Sequence, residues 1–404
     1  MVSPLVNSGQ ALSNHFFVCS VTLCNIYVFS LRALRLCAKK DSFGSGYAGA
    51  GSVLTGSEGN MRVLIIGNFL SGSGSNPSVC EDLAERLGAR GWRVSAASTK
   101  RGRLARLMDM AGTAWKQRNR YAVAQVDVFS GPSFIWAETV CWTLRRASRP
   151  FVLTLHGGNL PAFAGRWPHR FRRLVRSAAA VTTPSRYLLE QVKSYREGMV
   201  LLPNALDLGR YAFSLRREVR PSLVWLRAFH EIYNPVLAPR VLARLSDLEG
   251  SRLVMAGPDK GDGSLQRAKH AALQLCVADR VFFPGRIQKD EVPDFLQKGN
   301  IFINTADVDN TPVSVMEAMA CGLCIVSTKV GGIPYLLEHG HDSLLVPPDD
   351  PEAMAAAIRR IILEPGLSEK LSRHAREKAE SFDWSRILPQ WEELLIKAQT
   401  HGKR

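Results

Sequence analysis

The chain has 404 residues, of which 46% are apolar and 22% are charged, and its formal net charge is +16. This composition is typical of a folded globular protein of roughly two or three domains, and it excludes wholesale disorder, collagen and a polytopic membrane protein. Eight cysteines are too few for a secreted disulfide scaffold and favour reduced thiols in a cytoplasmic protein.

Residues 1–60 differ in character from the rest of the chain. The apolar segment 16–31 is shorter than the about 20 residues that a spanning helix needs. Basic residues follow this segment, whereas in a signal peptide they precede it. Residues 41–59 are rich in Gly and Ser, as in a flexible linker. Two interpretations stay open: a weak membrane anchor whose C-terminal side is cytoplasmic, or a translated upstream segment before a true start at Met61.

From Met61 onward, short apolar runs alternate with helical stretches. Runs that are apolar on both faces indicate buried parallel strands, and the alternation predicts βαβ units. The runs form two sets that divide near residues 205–222. The first set comprises Val63–Ile66, Val126–Phe129, Phe151–Leu155, Ala180–Thr183 and Val200–Leu202; the second comprises Leu223–Leu226, Leu253–Ala256, Val281–Phe283, Ile301–Asn304, Cys324–Ser327 and Ser343–Val346. We therefore predict an α/β protein with two doubly wound, Rossmann-like domains that face each other.

Ligands bind such sheets at the carboxyl ends of the strands, so residues that follow the runs are candidates for a site. Gly72 and Gly74 follow the first run and would let the backbone approach a ligand. The loop is not a dinucleotide fingerprint, because Pro77 replaces the third Gly, and a turn without a ligand is the alternative. His156 directly follows another run and precedes two glycines, which favours a ligand role over a purely structural histidine.

In the second set, Arg227 follows the first run, where its guanidinium can form two parallel hydrogen bonds with a phosphate. A surface ion pair is the alternative for this residue. The segment 307–322 follows a later run and opens a short helix that Gly322 can end. The amide groups at the start of this helix can bind an anion.

Three other interpretations of the segment 307–322 stay open. Ser314 and Glu317 also fit a capping box, in which the carboxylate binds only the backbone. Asp307 and Asp309 fit a DxD metal site. The pair Cys321 and Cys324 has the spacing of a redox motif, although a single CxxC at a helix end more often serves packing.

Taken together, these segments resemble the GT-B glycosyltransferases of family 4, the group 1 glycosyl transferases. Asp309 and Glu317 occupy the two ends of the family's Glu-x7-Glu signature, with Asp in place of the first Glu. The segments that carry the rest of the resemblance are 317–322, 330–334, the domain junction at 202–207, the Gly-Arg turn at 284–286, and Phe382–Trp384, where the last helices begin.

The resemblance extends along most of residues 61–398 and implies the GT-B fold, with a cleft between the two domains. After the N-terminal extension of 1–60, we expect a basic acceptor domain over 61–212. A nucleotide-sugar domain is expected over 213–382, and a last helix and tail over 383–404 return to the first domain.

The resemblance also implies a role for each candidate residue. Glu317 would bind the ribose hydroxyls of the nucleotide, and Arg227 would hold the diphosphate. Asp309 would contact the donor sugar, which His156 would meet from the opposite domain, so that His156, Asp309 and Arg227 are the expected catalytic residues. Further donor contacts are expected from Tyr233, Asn234, Gly285, Arg286, Pro312, Val313 and Ser314, and the loop of Gly72 and Gly74 would line the cleft near the diphosphate and the acceptor.

The sequence departs from the family pattern at two positions. The family has a Lys five residues after the Arg, and Ile232 stands there instead, so one positive charge on the leaving diphosphate is unaccounted for. Tyr233 and Asn234 are the candidates to supply hydrogen bonds in its place. Asp309 is one methylene shorter than Glu, which keeps the charge and changes its reach.

By resemblance we expect a retaining hexosyltransferase that uses no metal and no cofactor. It would transfer a sugar from a UDP- or GDP-type donor to a glycan or a polyprenyl- or lipid-linked acceptor, in the synthesis of cell-surface polysaccharide or glycolipid. The alternatives are a sugar-nucleotide epimerase of the same fold and a catalytically weak nucleotide-sugar-binding protein, which the missing Lys suggests.

The charge distribution adds an expectation about location. Residues 61–210 carry 23 Lys and Arg against 9 Asp and Glu, whereas residues 211–404 carry 25 of each. Clusters of basic residues with interleaved aromatics fit an anionic membrane surface, while nucleic acid is disfavoured because its binding motifs are missing. A merely solvated basic face is the alternative. We expect a cytoplasmic protein peripherally associated with the inner face of the membrane.

Overall fold

The computed structural model describes residues 61–73 and 78–401, so the predictions for residues 1–60 and for Gly74 lie outside the described residues. All described residues fall within one compact unit. Within it, the strands form two six-stranded sheets in which every pair of neighbouring strands is parallel.

The first sheet has the strand order β2-β1-β3-β4-β5-β6. Its strands are β1 (Arg62–Ile66), β2 (Arg93–Ala97), β3 (Val123–Val128), β4 (Phe151–Leu155), β5 (Ala180–Thr183) and β6 (Val200–Leu201). The helices that alternate with them are α1 (Val79–Ala89), α2 (Arg103–Lys116), α3 (Ser133–Arg146), α4 (Leu160–Arg166), α5 (Pro168–Ser177) and α6 (Arg186–Val192).

The second sheet has the order β12-β11-β10-β7-β8-β9. Its strands are β7 (Ser222–Leu226), β8 (Arg252–Ala256), β9 (Val281–Gly285), β10 (Ile301–Asn304), β11 (Cys324–Thr328) and β12 (Ser343–Val346). Its helices are α7 (Leu237–Ala243), α8 (Ser264–Gln274), α9 (Val292–Gln297), α10 (Val313–Ala320), α11 (Ile333–Leu336), α12 (Pro351–Leu363) and α13 (Leu367–Glu380), and α14 (Trp384–His401) ends the described chain.

Each sheet is covered on both faces because its strands are apolar on both sides. In β1, Leu64 and Ile66 join the core layer that α2, α3 and α5 cover, whereas Val63 and Ile65 join the layer beneath α1 and α14. The alternation follows from the strand period of two, which sends successive side chains to opposite faces. The second sheet divides its core in the same way.

This architecture confirms the predicted fold class. Each of the eleven apolar runs overlaps a strand, although Phe129 and Leu202 lie one residue beyond β3 and β6. The strand that the sequence analysis missed is β2, which pairs only with β1 and forms one edge of the first sheet. An edge strand is buried less than a central one, so β2 contains Arg93 and Ser95 among its five residues and lacks a continuous apolar run.

The last helix packs on the first half of the protein. Trp391 and Leu395 of α14 share a core cluster with Val63 and Val152 of the first sheet. The chain enters α14 beside the junction segment, where the amide of Leu206 donates to the carbonyl of Phe382 at 2.8 Å. The domain boundaries at 212 and 382 stay a prediction.

None of the helices in the described parts of the chain combines the length and the apolarity that crossing a bilayer requires.

Candidate functional site

Two cavities lie where the carboxyl ends of the two sheets approach each other. The first, of about 430 Å³, is lined by Glu317 of the second half and by Asp82 and Arg86 of α1. The second, of about 670 Å³, is lined by His156 of the first half and the loop after β10. We call them the Glu317 cavity and the His156 cavity. Arg227 and Val313 line both, so the two cavities meet at these residues.

Glu317 is a buried carboxylic acid on the second turn of α10. Burial raises its pKa to about 7, and this effect is opposed by a hydrogen bond from Tyr211 and by the charges of Lys289, Arg210 and Arg227. The Tyr211 hydroxyl donates to Oε1 of Glu317 at 2.8 Å. Since burial also raises the pKa of Tyr211, the hydroxyl keeps its proton for this bond.

The capping-box interpretation of Glu317 is wrong. Helix α10 begins after Pro312, which occupies the N-cap position without a side-chain cap, and the carboxylate binds Tyr211 instead of the backbone. The Ser314 hydroxyl, which would have been the cap, is buried without a hydrogen-bond partner at the wall of the Glu317 cavity. An unpartnered buried hydroxyl is costly, so this atom is a candidate ligand contact.

Arg227 directly follows β7 and reaches the point where the two cavities meet. Its guanidinium forms an ion pair with Asp309 and lies 4.3 Å from the ring centroid of Tyr233. The Nε atom of Arg227 is buried and has no hydrogen-bond partner. The surface ion-pair interpretation therefore fails, because the pair is largely buried and leaves one buried donor without a partner.

Two glycines support the loop that carries Asp309. A Cβ atom added to Gly331 would lie 2.2 Å from the carbonyl oxygen of Asp309, and one added to Gly332 would lie 2.2 Å from that of Asn310. The amide of Gly332 donates to the Asp309 carbonyl at 2.9 Å. The close approach requires residues without side chains, which explains why Val330–Pro334 contains two glycines.

His156 follows β4 and is held by an acidic residue that the sequence analysis did not single out. Nε2 of His156 lies 3.0 Å from Oδ1 of Asp127, and the ring stacks on Phe129 with centroids 5.2 Å apart. Gln125 also donates to the same carboxylate oxygen, at 2.7 Å. The missed signal was a charged residue inside a buried strand, where a charge needs a partner.

The other predicted donor contacts divide into two groups. Tyr233, Pro312 and Val313 line the His156 cavity. Three groups of these residues line neither cavity. The amide of Asn234 donates to Asp307 and Asp349. Gly285 ends β9 and Arg286 directly follows it, and the exposed Gly72 lies in the 3-10 turn Ser71–Ser73. Beyond Gly285 and Arg286, Ile287 and Lys289 take part in lining the Glu317 cavity.

The structure also bears on the DxD and CxxC interpretations. Asp309 pairs with Arg227 and Asp307 accepts from Asn234, so a guanidinium and an amide are their partners. Within the described residues, no three potential metal ligands cluster together. Cys321 and Cys324 lie in different core clusters, and burial raises the pKa of each thiol to about 12, which favours packing over redox chemistry.

Three cations that the sequence analysis missed line the Glu317 cavity: Arg86, Arg210 and Lys289. Lys289 lies 2.5 Å from the carboxylate of Asp82, and Arg86 lies 2.6 Å from that of Asp207. No local motif marks these residues, because they come from α1, the junction and the loop after β9. The Glu317 cavity therefore suits a ligand that combines negative charge with hydroxyl groups.

Two family models match most of the described chain. The model described as Glycosyltransferase Family 4 matches residues 78–210, and the model described as Glycosyl transferases group 1 matches residues 215–378. The two matches fall on the two sheets respectively.

Curated proteins with similar sequences are named as glycosyltransferases. A D-inositol 3-phosphate glycosyltransferase of Streptomyces bingchenggensis is 29% identical over 208 residues, which are 48% of this chain and 45% of the relative. An enzyme of the same name from Acidothermus cellulolyticus is 33% identical over 135 residues, which are 33% of this chain and 30% of the relative. Each alignment thus spans less than half of the relative's own length.

Solved structures share the fold. Sucrose-phosphate synthase from Thermosynechococcus elongatus has a TM-score of 0.67 and 18% identity, covering 85% of this chain and all of that one. Anabaena Alr3699/HepE in complex with UDP and glucose has a TM-score of 0.67 and 18% identity, covering 83% of this chain and all of that one. With both family models and these architectures in agreement, the chain belongs to the group 1 and Family 4 glycosyltransferases and has the GT-B fold.

Proposed function

We propose that this glycosyltransferase binds a nucleotide-diphosphate sugar across the two cavities and transfers the sugar with retention of configuration. The observation that carries the proposal is that the cavities meet at Arg227. In this arrangement the nucleoside occupies the Glu317 cavity, the sugar occupies the His156 cavity, and the diphosphate lies between them beside the guanidinium.

The unpaired donors support the binding of an anionic ligand where the two cavities meet. Nε of Arg227 and the hydroxyl of Ser314 are buried without partners, and Val313 at the start of α10 lines both cavities together with Arg227. Donors fixed before the reaction stabilise the charge that develops on a leaving diphosphate without further reorganisation. The Anabaena protein of the same fold was solved with UDP bound, which is consistent with this choice of donor.

The cations of the Glu317 cavity offer a replacement for the missing Lys. Ile232 occupies the position of that Lys and lines the His156 cavity as an apolar side chain. The Asn234 amide is engaged by two aspartates, so it is a poor substitute. We infer that Lys289 supplies the second positive charge on the nucleotide, since its charge already acts on Glu317.

On the sugar side, we propose that Asp127 and His156 act together. The carboxylate fixes the orientation of the His156 ring, which lines the cavity. Asp309 orients Arg227 and contacts the donor sugar. No metal is required in this proposal, because the arginine and the helix amides provide the positive charge for the leaving group.

A third cavity supports an acceptor with an apolar part. It has a volume of about 280 Å³, lies between α2, α3 and the end of β3, and is lined by Met110, Phe129 and Trp136. Asp127 also lines it, which brings this cavity to the residue that holds His156. We propose that the acceptor is lipid-linked, with the hydroxyl to be glycosylated near His156 and apolar carbon in this cavity.

The proposal includes peripheral association with an anionic membrane, supported by the excess of basic residues in the first half. It also includes a role in the synthesis of cell-surface polysaccharide or glycolipid, which follows from a lipid-linked acceptor.

The proposal is tested by incubating the purified full chain with a panel of UDP and GDP sugars. One arm adds membrane lipid extract, a second adds inositol phosphate, the class of acceptor in the relatives' names, and a third adds no acceptor. We expect one donor to be consumed with release of nucleoside diphosphate only when an acceptor is present, and NMR of the product to show retained configuration. EDTA is expected to leave the rate unchanged.

The alternatives give different results in the same experiment. An epimerase changes the donor sugar in the arm without acceptor. A binding protein with little catalytic activity binds nucleotide and consumes no donor in any arm. Turnover with inositol phosphate but not with lipid extract would retain the transferase and contradict the lipid-linked acceptor.

A further inference from the structure

Three neighbouring helices beside the first sheet expose large apolar side chains to solvent. Helix α2 packs against α3, and α3 packs against α5. We call their outer surface the α2–α3–α5 face. Its exposed apolar residues are Leu104, Met108 and Trp115 on α2, Ile135 and Trp142 on α3, and Trp167 directly before α5. Patches of this kind mark interaction surfaces, because solvent exposure of contiguous apolar area is unfavourable.

The apolar residues of α2 lie on one stripe of the helix. Leu104, Met108 and Trp115 are four and seven residues apart, and Leu104 and Met108 are 80% and 73% exposed. The opposite side of the helix is also apolar, since Met110 and Ala114 are buried in the core. Packing on the sheet therefore accounts for one side of α2 only, and the exposed stripe is available for a second partner.

The same face is strongly basic. Between residues 100 and 177 there are 15 Lys and Arg and only three acidic residues. Two of these acids are engaged, since Asp127 binds His156 and Glu138 pairs with Arg170. A guanidinium group lies over each exposed indole. The distances to the ring centroids are 4.7, 5.1 and 5.8 Å in the pairs Arg118–Trp115, Arg146–Trp142 and Arg166–Trp167.

A groove between α3 and α5 adds a place for an anionic group. It has a volume of about 570 Å³ and is lined by Arg145, Arg173 and Trp142. Both arginines are exposed, and the described residues provide no hydrogen-bond or ion-pair partner for either guanidinium. Two unengaged guanidinium groups beside an indole suit a lipid phosphate. The phosphate oxygens can accept hydrogen bonds from the guanidinium groups, while the indole ring lies at the level of the headgroups.

We propose that the α2–α3–α5 face docks on an anionic lipid bilayer by inserting side chains, with Leu104 and Met108 at the acyl boundary and Arg145 and Arg173 on lipid phosphates. This deepens the membrane association proposed above, because it assigns the surface and adds an apolar contribution to the electrostatic one. The chemistry of the cleft is separate from it: among the described residues that line the two cleft cavities, none belongs to these helices.

Two other partners fit the face less well. Nucleic acid satisfies the arginines, but the phosphate backbone offers nothing to Leu104, Met108 and Ile135. A second copy of this chain, joined through the same face on a two-fold axis, would bring two basic surfaces into contact. A bilayer with anionic headgroups satisfies the apolar and the cationic side chains at once.

The inference is tested with the full chain by tryptophan fluorescence. Residues 1–60 contain no Trp, so the emission reports only on the remaining residues even if the N-terminal extension also binds lipid. Trp92, Trp225, Trp384 and Trp391 are buried, whereas three exposed indoles lie on the α2–α3–α5 face. Vesicles of 30% anionic lipid with bromine on the acyl chains quench only indoles that reach the bilayer, and zwitterionic vesicles serve as comparison.

We expect strong quenching on the anionic vesicles, part of which survives 1 M salt because insertion is not electrostatic. The double variant Leu104→Glu/Met108→Glu keeps every Trp, and its affinity for the vesicles should fall at least about tenfold. The variant Arg145→Gln/Arg173→Gln should lose the preference for anionic lipid. Leu273→Glu changes an equally apolar, 65% exposed residue of α8 and should bind as the unaltered chain does.

The inference is overturned if the indoles are not quenched, or if Leu104→Glu/Met108→Glu is quenched as strongly as the unaltered chain. Tighter binding to duplex DNA or RNA than to the vesicles would favour nucleic acid. A dimer that the double variant dissociates would favour an interface between copies. Nucleotide binding, measured in parallel, should be equal in all variants, so a failure of the proposed transferase chemistry is distinguishable from a failure of docking.

Discussion

At the scale of single residues, the candidate site contains buried polar groups whose environment is energetically unfavourable. Glu317 is buried as an acid, Arg227 keeps an unpaired Nε, and Ser314 keeps an unpaired hydroxyl. Each of these features costs stability in a protein without ligand, and each becomes favourable when a ligand supplies the missing hydrogen bonds. The residues that reduce stability are therefore the ones we expect to bind the donor.

Glu317→Gln tests this directly. Burial raises the pKa of Glu317 from 4.5 to about 7, because it disfavours the charged carboxylate. The folded protein should therefore become less stable as the pH rises from 4.5 through 7, since the unfolded chain ionises this group more easily than the folded one does. Gln does not ionise and can still accept from Tyr211. In urea unfolding we expect the variant to match the unaltered chain at pH 4.5 and to be more stable by about 1–3 kcal/mol at pH 8.

The same variant should bind nucleotide more weakly by about 1–3 kcal/mol, because a hydrogen bond to a charged group is lost. Calorimetric titration with UDP and GDP at pH 8 measures this. Stability that is equal at both pH values would show that the carboxyl ionises normally, and unchanged nucleotide affinity would remove Glu317 from the donor site.

Arg227→Lys keeps the charge and loses the planar pair of donors. Since charge builds on the diphosphate as the sugar leaves, we expect kcat to fall by about 10²-fold while the donor KM changes less. Arg227→Ala should have a lower kcat still. Arg240→Lys is the matched control, because Arg240 forms an exposed ion pair with Asp349 outside both cavities. A rise in KM alone would make Arg227 a uniform binder of the donor.

At the scale of elements, the site is built from loops that rigid strands and close backbone contacts hold in place. The loop that carries Asp309 rests on Gly331 and Gly332, and His156 stands at the end of a central strand beside Asp127 of its neighbour. Loops that are held by a rigid scaffold can position the side chains they carry, and catalysis depends on such positioning.

Gly332→Ala tests the support of this loop. The new Cβ would lie 2.2 Å from the Asn310 carbonyl oxygen, so the loop must shift, at a cost of about 1–3 kcal/mol. We expect kcat/KM to fall at least tenfold, while nucleotide affinity falls less, since Glu317 lies on a separate element. Gly88→Ala in α1 meets no atom within 4 Å and should leave both quantities unchanged. Equal activity of the two variants would contradict the role of the loop.

At the scale of the whole molecule, the two halves are connected by the junction, by α14 and by an ion pair across the cleft. Lys289 of the second half reaches Asp82 of the first at the rim of the Glu317 cavity. Both side chains are about one quarter exposed, so the pair contributes little to stability, on the order of 0.2–1 kcal/mol. Its position matters more, because in the proposed donor complex Asp82 would compete with the nucleotide for the ammonium group of Lys289.

The two partners of this pair should therefore have opposite effects on donor binding. Lys289→Gln removes a positive charge from the cavity, and we expect the Kd for nucleoside diphosphate to rise about tenfold. Asp82→Asn releases Lys289 toward the phosphates, and the Kd should stay equal or fall. Both effects should shrink with added salt. Nucleotide titration at two ionic strengths measures them, and a loss of affinity in both variants would mean that the pair only holds the halves together.

The sequence by itself determined the fold class and the residues that lie at the strand ends. Eleven apolar runs predicted eleven strands, because central parallel strands are buried on both faces and must be apolar. Arg227 and His156 were found for a related reason: a polar residue directly after such a run lies at the edge of the sheet where ligands bind. Glu317 lies inside a helix and was found through its position in the Glu-x7-Glu signature. The edge strand β2 was missed because burial does not constrain it.

Only the tertiary structure decided which partners these residues have. Tyr211 binds Glu317, Asp127 binds His156, and Asp82 binds Lys289 across 106, 29 and 207 residues of sequence. Such pairs leave no periodicity or spacing in the chain, because they form where strands of one sheet or the two halves of the molecule meet. The exposed stripe of α2 was hidden for the same reason: its apolar residues are indistinguishable from core residues until the sheet shows which side of the helix it covers.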